Sequence, residues 1–351
     1  MNSKKQLKIE RVFWLDAMRV LAILMVVVIH SSAKVLYEWE VVSHTAWNFA
    51  NVLNAFSRIS VPLFVMISGA CILHKTENLK EFLEKRIPRI VIPWFIWGTI
   101  QLLYNYNFSI NQIINTNVAS KIMATYFGGF WFMPMILALY LITPLLKPFV
   151  QTAKNRDFGY FFILWFIVAS CIPTLNKAGL NISMQLPIWI QYLGYFVAGY
   201  YLVHRIKIRK ILNKQITLLF LVTSTVIALG TYALTLSDSA FNTSLYEYTH
   251  IFVVITSITG FITLQRILQN KVVPFSKKMK MKITALSKAS FGIFLAHSLV
   301  LDILTRGSLG ITINGLTIHP IIGLPLTVMV VFSTTALIVT SLQKINPKLF
   351  G

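Results

Sequence analysis

The chain has 351 residues, 56% hydrophobic and 12% charged, with a formal net charge of +21 and a mean hydropathy of +0.68. Soluble domains carry about 25% charged residues, so the composition excludes an ordinary soluble domain. The positive charge then needs an explanation that suits a chain dissolved in lipid.

A membrane span takes about 20 mostly apolar residues. Ten such runs follow one another, at about 12–33, 46–73, 88–104, 131–150, 158–175, 187–204, 214–236, 248–268, 287–304 and 318–342. Helices are the expected spanning form. Lipid offers no partner to an open backbone, and the runs are too long for barrel strands. Of the 32 Lys and Arg, 26 fall on the N-terminal side of this alternation, while the opposite segments hold only Lys34, Lys121, Lys177 and Arg306. That is the positive-inside pattern. It makes the excess charge a matter of topology and gives no reason to invoke nucleic acid. The expected fold is an all-α polytopic membrane protein of about ten transmembrane helices with both termini cytoplasmic. Residues 1–351 form a single integral-membrane domain, with no soluble domain.

The first run, "LDAMRVLAILMVVVIH", is long for a signal peptide and is interrupted by Asp16 and Arg19. At 100° per residue Arg19 and His30 share a face, separated by roughly 16 Å along the axis. Asp16 lies one turn before Arg19, in pairing position. Charges inside a membrane are costly and normally face protein or a wet cavity, so the stripe reads as functional. Read structurally, it is an Asp16–Arg19 pair plus an interfacial histidine.

In the second run "WNFANVLNAFSRISVPLF" puts Asn51, Asn54 and Arg58 on one helical face. Amides beside a guanidinium suit a sugar or phosphate, although amides also bind helices together. "EKRIPRIVIP" clusters Lys85, Arg86 and Arg89 where the chain enters the third span, and arginine forks suit phosphate oxygens. The outer stretch 105–130 is Asn-rich and reads as re-entrant or interfacial. The inner stretch 269–286, with "SKKMKMK", reads as a basic loop. Glu247 stands at the outer entry of the eighth span, and His297 near the middle of the ninth. Cys71 and Cys171 fall at opposite membrane faces, too far apart to pair. No metal-ligand cysteine cluster is present, and no nucleotide-binding glycine loop.

These features occur in an order that resembles the integral-membrane acyltransferase-3 family. Arg19 and His30 come first, then "VPLFVMISG" (Val61 to Gly69), Arg86-x-x-Arg89, "WFMPMILALYLITP" (Trp131 to Pro144) and "SFGIFLAH" (Ser290 to His297). The resemblance implies transfer of an acyl group, most simply acetyl, from cytoplasmic acyl-CoA to a hydroxyl of a cell-surface or lipid-linked glycan. His30 matches the family's essential histidine and Arg19 its partner. Arg86 and Arg89, with Lys85 beside them, match the donor-binding motif, and His297 and Trp131 match further motif positions. The catalytic set expected is therefore His30, Arg19, Asp16 and His297, with Asn51, Asn54, Arg58, Trp131 and Glu247 toward the acceptor. No permanently bound cofactor and no metal are expected. Acetyl-CoA or another acyl-CoA is the co-substrate. Expected partners are the lipid bilayer and the glycan acceptor, in a bacterial cytoplasmic (inner) membrane. Assembly with a second copy, as a homo-oligomer, stays open. The competing reading is a transporter or flippase for an acid or lipid-linked sugar, since buried ionisable groups also serve proton coupling. The lack of an internal repeat counts against it.

Overall fold

The structure is a computed structural model. It describes residues 2–114, 117–177, 179–180, 182, 184, 186–206, 213–269, 274–308, 310 and 312–351, with side chains from residue 13 onward except that of residue 213. The inner charges Lys4, Lys5, Lys8, Arg11, Lys207, Arg209, Lys210 and Lys271 lie outside the described side chains.

The apolar runs become helices α1 (Asn2–Tyr37), α2 (His44–Ser57), α3 (Ser60–Ile72) and α4 (Leu79–Asn105). Two short helices follow, α5 (Ile110–Ile114) and α6 (Val118–Met123), and then α7 (Phe132–Thr152), α8 (Asn155–Phe166), α9 (Ile172–Lys177) and α10 (Ile188–His204). The remainder are α11 (Asn213–Asp238), α12 (Ile251–Gln269), α13 (Lys277–Arg306), α14 (Pro320–Ile345) and the short α15 (Pro347–Phe350). Among the described residues nine helices, counting α2–α3 and α8–α9 as one each, are long and apolar enough to cross a membrane. The expectation of ten spans meets nine of full length and one shorter helix. That helix, α10, has 17 residues, about 26 Å at 1.5 Å per residue.

α1 is the axis of the bundle and packs against α2, α3, α12, α13 and α14. Between lipid-soluble helices packing, not water exclusion, holds neighbours together, so close approach matters. It is closest where α3 crosses α10. A Cβ on Gly69 would sit 1.8 Å from the Phe196 carbonyl oxygen, and one on Gly199 would sit 1.8 Å from that of Met66. No side chain fits at either position. At the outer ends Lys34 pairs with Asp302 at 3.5 Å and ties α1 to α13.

Two local breaks position functional side chains. Proline has no N–H and its ring crowds the carbonyl four residues back. Pro62 therefore cannot continue the ladder to Arg58, and α2 ends with Arg58 as its C-cap. Within the outer stretch 105–130, a π-helical turn, Ala124–Gly129, packs against α4. The Tyr126 hydroxyl bonds to that of Thr99 at 2.7 Å and donates to the Phe95 carbonyl at 3.1 Å. The chain then enters α7 with Trp131 as the N-cap. The inner stretch expected as a loop is partly helical. Ser276 caps the Met279 N–H at 3.2 Å, and "KKMKMK" forms the first turns of α13.

Candidate active site

Polar side chains that a lipid-facing helix would exclude gather in two places, one in the outer half of the bundle and one toward its inner face. The outer group is built on α1, α2 and α13. His30 is exposed although its neighbours Ile29, Ser31 and Ser32 are buried. Its ring meets that of His297 at 5.0 Å between centroids. His297 is buried, and its Nδ1 lies 2.6 Å from the Phe294 carbonyl oxygen. A carbonyl only accepts, so Nδ1 carries the proton and Nε2 of the neutral ring keeps its lone pair. Ser298 Oγ stands 3.4 Å from that nitrogen. Among the described residues the His30 ring makes no hydrogen bond.

Beside His30 opens a chamber of about 400 Å³, lined by Ala33, Tyr37, Asn54, Arg58, Trp131 and Gln191 and by the segment 246–249. Ala33 and Tyr37 are three and seven residues beyond His30, on the same face of α1. His30 thus stands one turn of α1 before the chamber wall without itself lining it. Asn54 fastens this wall together. Its Nδ2 donates to the Ile29 carbonyl at 3.2 Å and to Ser32 Oγ at 2.8 Å. Its Oδ1 accepts from Arg58 Nε at 2.8 Å and Nη2 at 2.5 Å. The guanidinium also stands 4.2 Å from the centre of the Tyr246 ring and lies within electrostatic reach of His30. Trp131 packs on Tyr192 and Tyr248. Glu247 is exposed at the rim, paired with Lys177 at 2.9 Å.

Asn51 departs from expectation. It is buried, donates to the Ala228 carbonyl at 2.8 Å and accepts from the Tyr246 hydroxyl. It binds α2 to α11 and does not line the chamber. Asn54 lines the chamber, but its amide is taken up by α1 and Arg58.

The inner group starts from Asp16. This buried carboxylate accepts from Arg19 Nη1 at 3.2 Å and from Ser287 Oγ at 2.8 Å. Arg19 Nη2 also reaches Cys71 Sγ at 3.1 Å, and the Arg19 side chain stays about 30% exposed. Arg19 is therefore held from one side and open on the other. The phenol of Tyr140 lies within electrostatic range of both Arg19 and Arg86. Arg86 pairs with Glu77 at 3.1 Å, yet its Nε is buried without a partner among the described residues. Lys147 is buried, with Nζ 4.8 Å from the centre of the Phe82 ring, and makes no ion pair among the described residues. Lys75 and Glu77 complete the set around Lys147.

Three cations thus face one carboxylate, an arrangement suited to phosphate oxygens. Arg89 and Lys85 do not join them. Both are exposed on α4, and Lys85 pairs with Glu81 on its own helix. Arg86 and Arg89 are neighbours on the helix surface, but Arg89 is exposed while Arg86 is half-buried within electrostatic range of Tyr140 and Lys147 on α7.

Sequence reasoning missed Lys147, Tyr140, Tyr246 and Tyr248. Lys147 carried a signal, being a cation at the end of an apolar run. Tyr246 and Tyr248 flank Glu247, an acid the sequence does single out, in "YEY". Tyr140 carried none beyond its motif.

A family model described as an acyltransferase domain matches residues 12–342. No curated protein and no solved structure matches the chain.

Proposed function

The chain belongs to the acyltransferase-3 family, and from that premise we propose that it is a membrane O-acyltransferase. It moves an acyl group, acetyl in the simplest case, from cytoplasmic acyl-CoA to a hydroxyl of a cell-surface or lipid-linked glycan. The setting proposed is a bacterial cytoplasmic membrane. The observation that carries the reading is His30. Among the described residues its imidazole makes no hydrogen bond, it stands one turn of α1 before a chamber wall, and it shares that helix with the Arg19 guanidinium held by Asp16.

The chemistry divides accordingly. Acyl-CoA is anionic and enters from the inner side, where Arg86, Lys147 and Lys75 suit its phosphates. An acyl-pantetheine arm of roughly 15–20 Å, an extended-chain estimate, matches the roughly 16 Å rise from Arg19 to His30. The acceptor hydroxyl comes from the outer chamber. His30 takes its proton as the oxygen attacks the thioester carbonyl. The C–S bond breaks, and the coenzyme A thiolate leaves and takes up a proton. A neutral histidine suits that step near pH 7. His297, with its tautomer set by the Phe294 carbonyl, orients the His30 ring, and Asp16 with Ser287 holds Arg19 toward the donor. Two stretches, "ANVLNAFSRISVPLFVMISG" and "LTRG" (Leu304 to Gly307), resemble the bacterial O-acetyltransferase of enterobacterial common antigen. That supports a glycan as the acceptor. Family membership favours transfer over transport.

The test uses purified protein, labelled acetyl-CoA and a surface-glycan fraction from cells lacking the protein. The expected result is coenzyme A release with label in the glycan. Transmembrane movement of the glycan with no coenzyme A released would support the transporter instead.

A further inference from the structure

We propose that the acceptor in the outer chamber carries an anion, a carboxylate or a phosphate, that seats on Arg58. The proposal rests on the chamber being the acceptor site and goes further by naming the acceptor's charge.

Arg58 is a guanidinium in the outer half of a membrane bundle, and such charges are normally neutralised by a partner. Among the described residues it forms no ion pair. Its hydrogen bonds all go to neutral oxygens. Nε and Nη2 donate to the Asn54 amide oxygen at 2.8 and 2.5 Å, and Nη1 reaches the Tyr246 carbonyl at 3.4 Å. The Tyr246 ring stands 4.2 Å from it, and the Tyr248 ring 5.8 Å. These are also neutral. The carboxylate nearest along the chamber wall, Glu247, is exposed and held at 2.9 Å by Lys177. The chamber therefore keeps one uncompensated positive charge.

That charge is held in place rather than left to wander. The Asn54 amide is fixed by the Ile29 carbonyl and Ser32, so its oxygen is aimed at Arg58. A guanidinium has five N–H donors, and Asn54, the Tyr246 carbonyl and the Tyr248 phenol, all neutral, take up some of them. Its charge is met by none of these partners and suits an anionic oxygen of a carboxylate or phosphate. Trp131 and Tyr192 flank the same space and offer faces for a sugar ring.

The experiment measures binding separately from transfer. The probe is a labelled surface-glycan fraction from cells lacking the protein, presented to the purified full-length chain without acyl-CoA. One portion is untreated, one has its carboxyls reduced to alcohols, and one has its phosphates removed. The untreated fraction is expected to bind about tenfold to a hundredfold more tightly than the portion that has lost the relevant anion. Which treatment acts tells carboxylate from phosphate. In Arg58→Gln this preference should shrink to near unity. If that variant does not fold, the wild-type comparison alone decides.

Equal binding of all three portions overturns the proposal, and so does no binding of the untreated one. Equal loss of turnover by Arg58→Gln on treated and untreated acceptor, with binding unchanged, also overturns it and makes Arg58 an oxyanion stabiliser. Charge-dependent binding with no acyl transfer leaves the anion site standing and removes the transferase reading. Transfer indifferent to acceptor charge does the reverse.

Discussion

The outer chamber and the inner basic group are both made of residues that a lipid-facing helix would reject, but they are built in opposite ways. The chamber is walled by aromatic rings around one guanidinium, which neutral partners hold still. The inner group crowds Lys75, Arg86 and Lys147 around one carboxylate, Glu77, and among the described residues leaves Arg86 Nε without a partner. The first arrangement orients a bulky ligand of low charge, and the second captures a multiply charged one. The contrast fits the proposed pairing of a multiply charged donor with a glycan acceptor.

The largest effect should come from His30, next to the outer chamber. His30→Ala is expected to lower acyl transfer by about a hundredfold to ten-thousandfold, the usual contribution of a general base. The purified variant should keep its thermal stability and its binding of acyl-CoA. Transfer at the wild-type rate would remove His30 from the chemistry.

Next, the inner region can be split along α4. Arg86→Ala should raise KM for acyl-CoA by about tenfold to a hundredfold, as expected for losing charged hydrogen bonds. Arg89→Ala, three residues on and exposed, should change it by no more than about twofold. Equal effects would mean that the inner site is a diffuse basic surface and not a cluster built around Arg86.

The outer region divides between two asparagines one turn apart. Asn51→Ala should destabilise the protein by about 1 kcal/mol, the scale of an interhelical hydrogen bond in a membrane, and leave turnover alone. Asn54→Ala should instead lower kcat by freeing Arg58 beside His30. Steady-state kinetics set against thermal melts distinguish the two, and an exchange of these outcomes would reverse their assignments.

The smallest effect concerns the Arg86–Glu77 latch. Burial acts to raise the Glu77 carboxyl, but the Arg86 guanidinium outweighs it and holds the group below the usual carboxylate range. A carboxyl lowered in the folded state contributes its full stability above its unfolded value, about 4, and loses it as pH falls through the folded one. The Tm of the wild type minus that of Glu77→Gln should therefore stay constant, at about 1–2 °C, from pH 7 to about pH 5. It should close as the pH drops further. A gap that persists at about pH 3 would show that the latch is not ionic.

Much of this was legible in one dimension. Apolar length set the helices and alternating charge set their directions, because lipid forces the backbone to bond within itself and biases cations to one side. The Asp16–Arg19 pair followed from helical spacing, whereas the break before Pro62, beside Arg58, lies inside what reads as one continuous run. What stayed hidden depended on neighbours far along the chain. Asn51 and Asn54 share a face, yet that face is wide enough for one to meet α11 and the other a hollow. Arg86 and Arg89 share a motif, yet only the first points inward. His30 and His297 are 267 positions apart and meet only because α1 packs along α13. The sequence by itself determined which residues lipid would refuse. Only tertiary packing decided which of them face a cavity, because helical periodicity specifies an angle around one axis and says nothing of what lies beyond it.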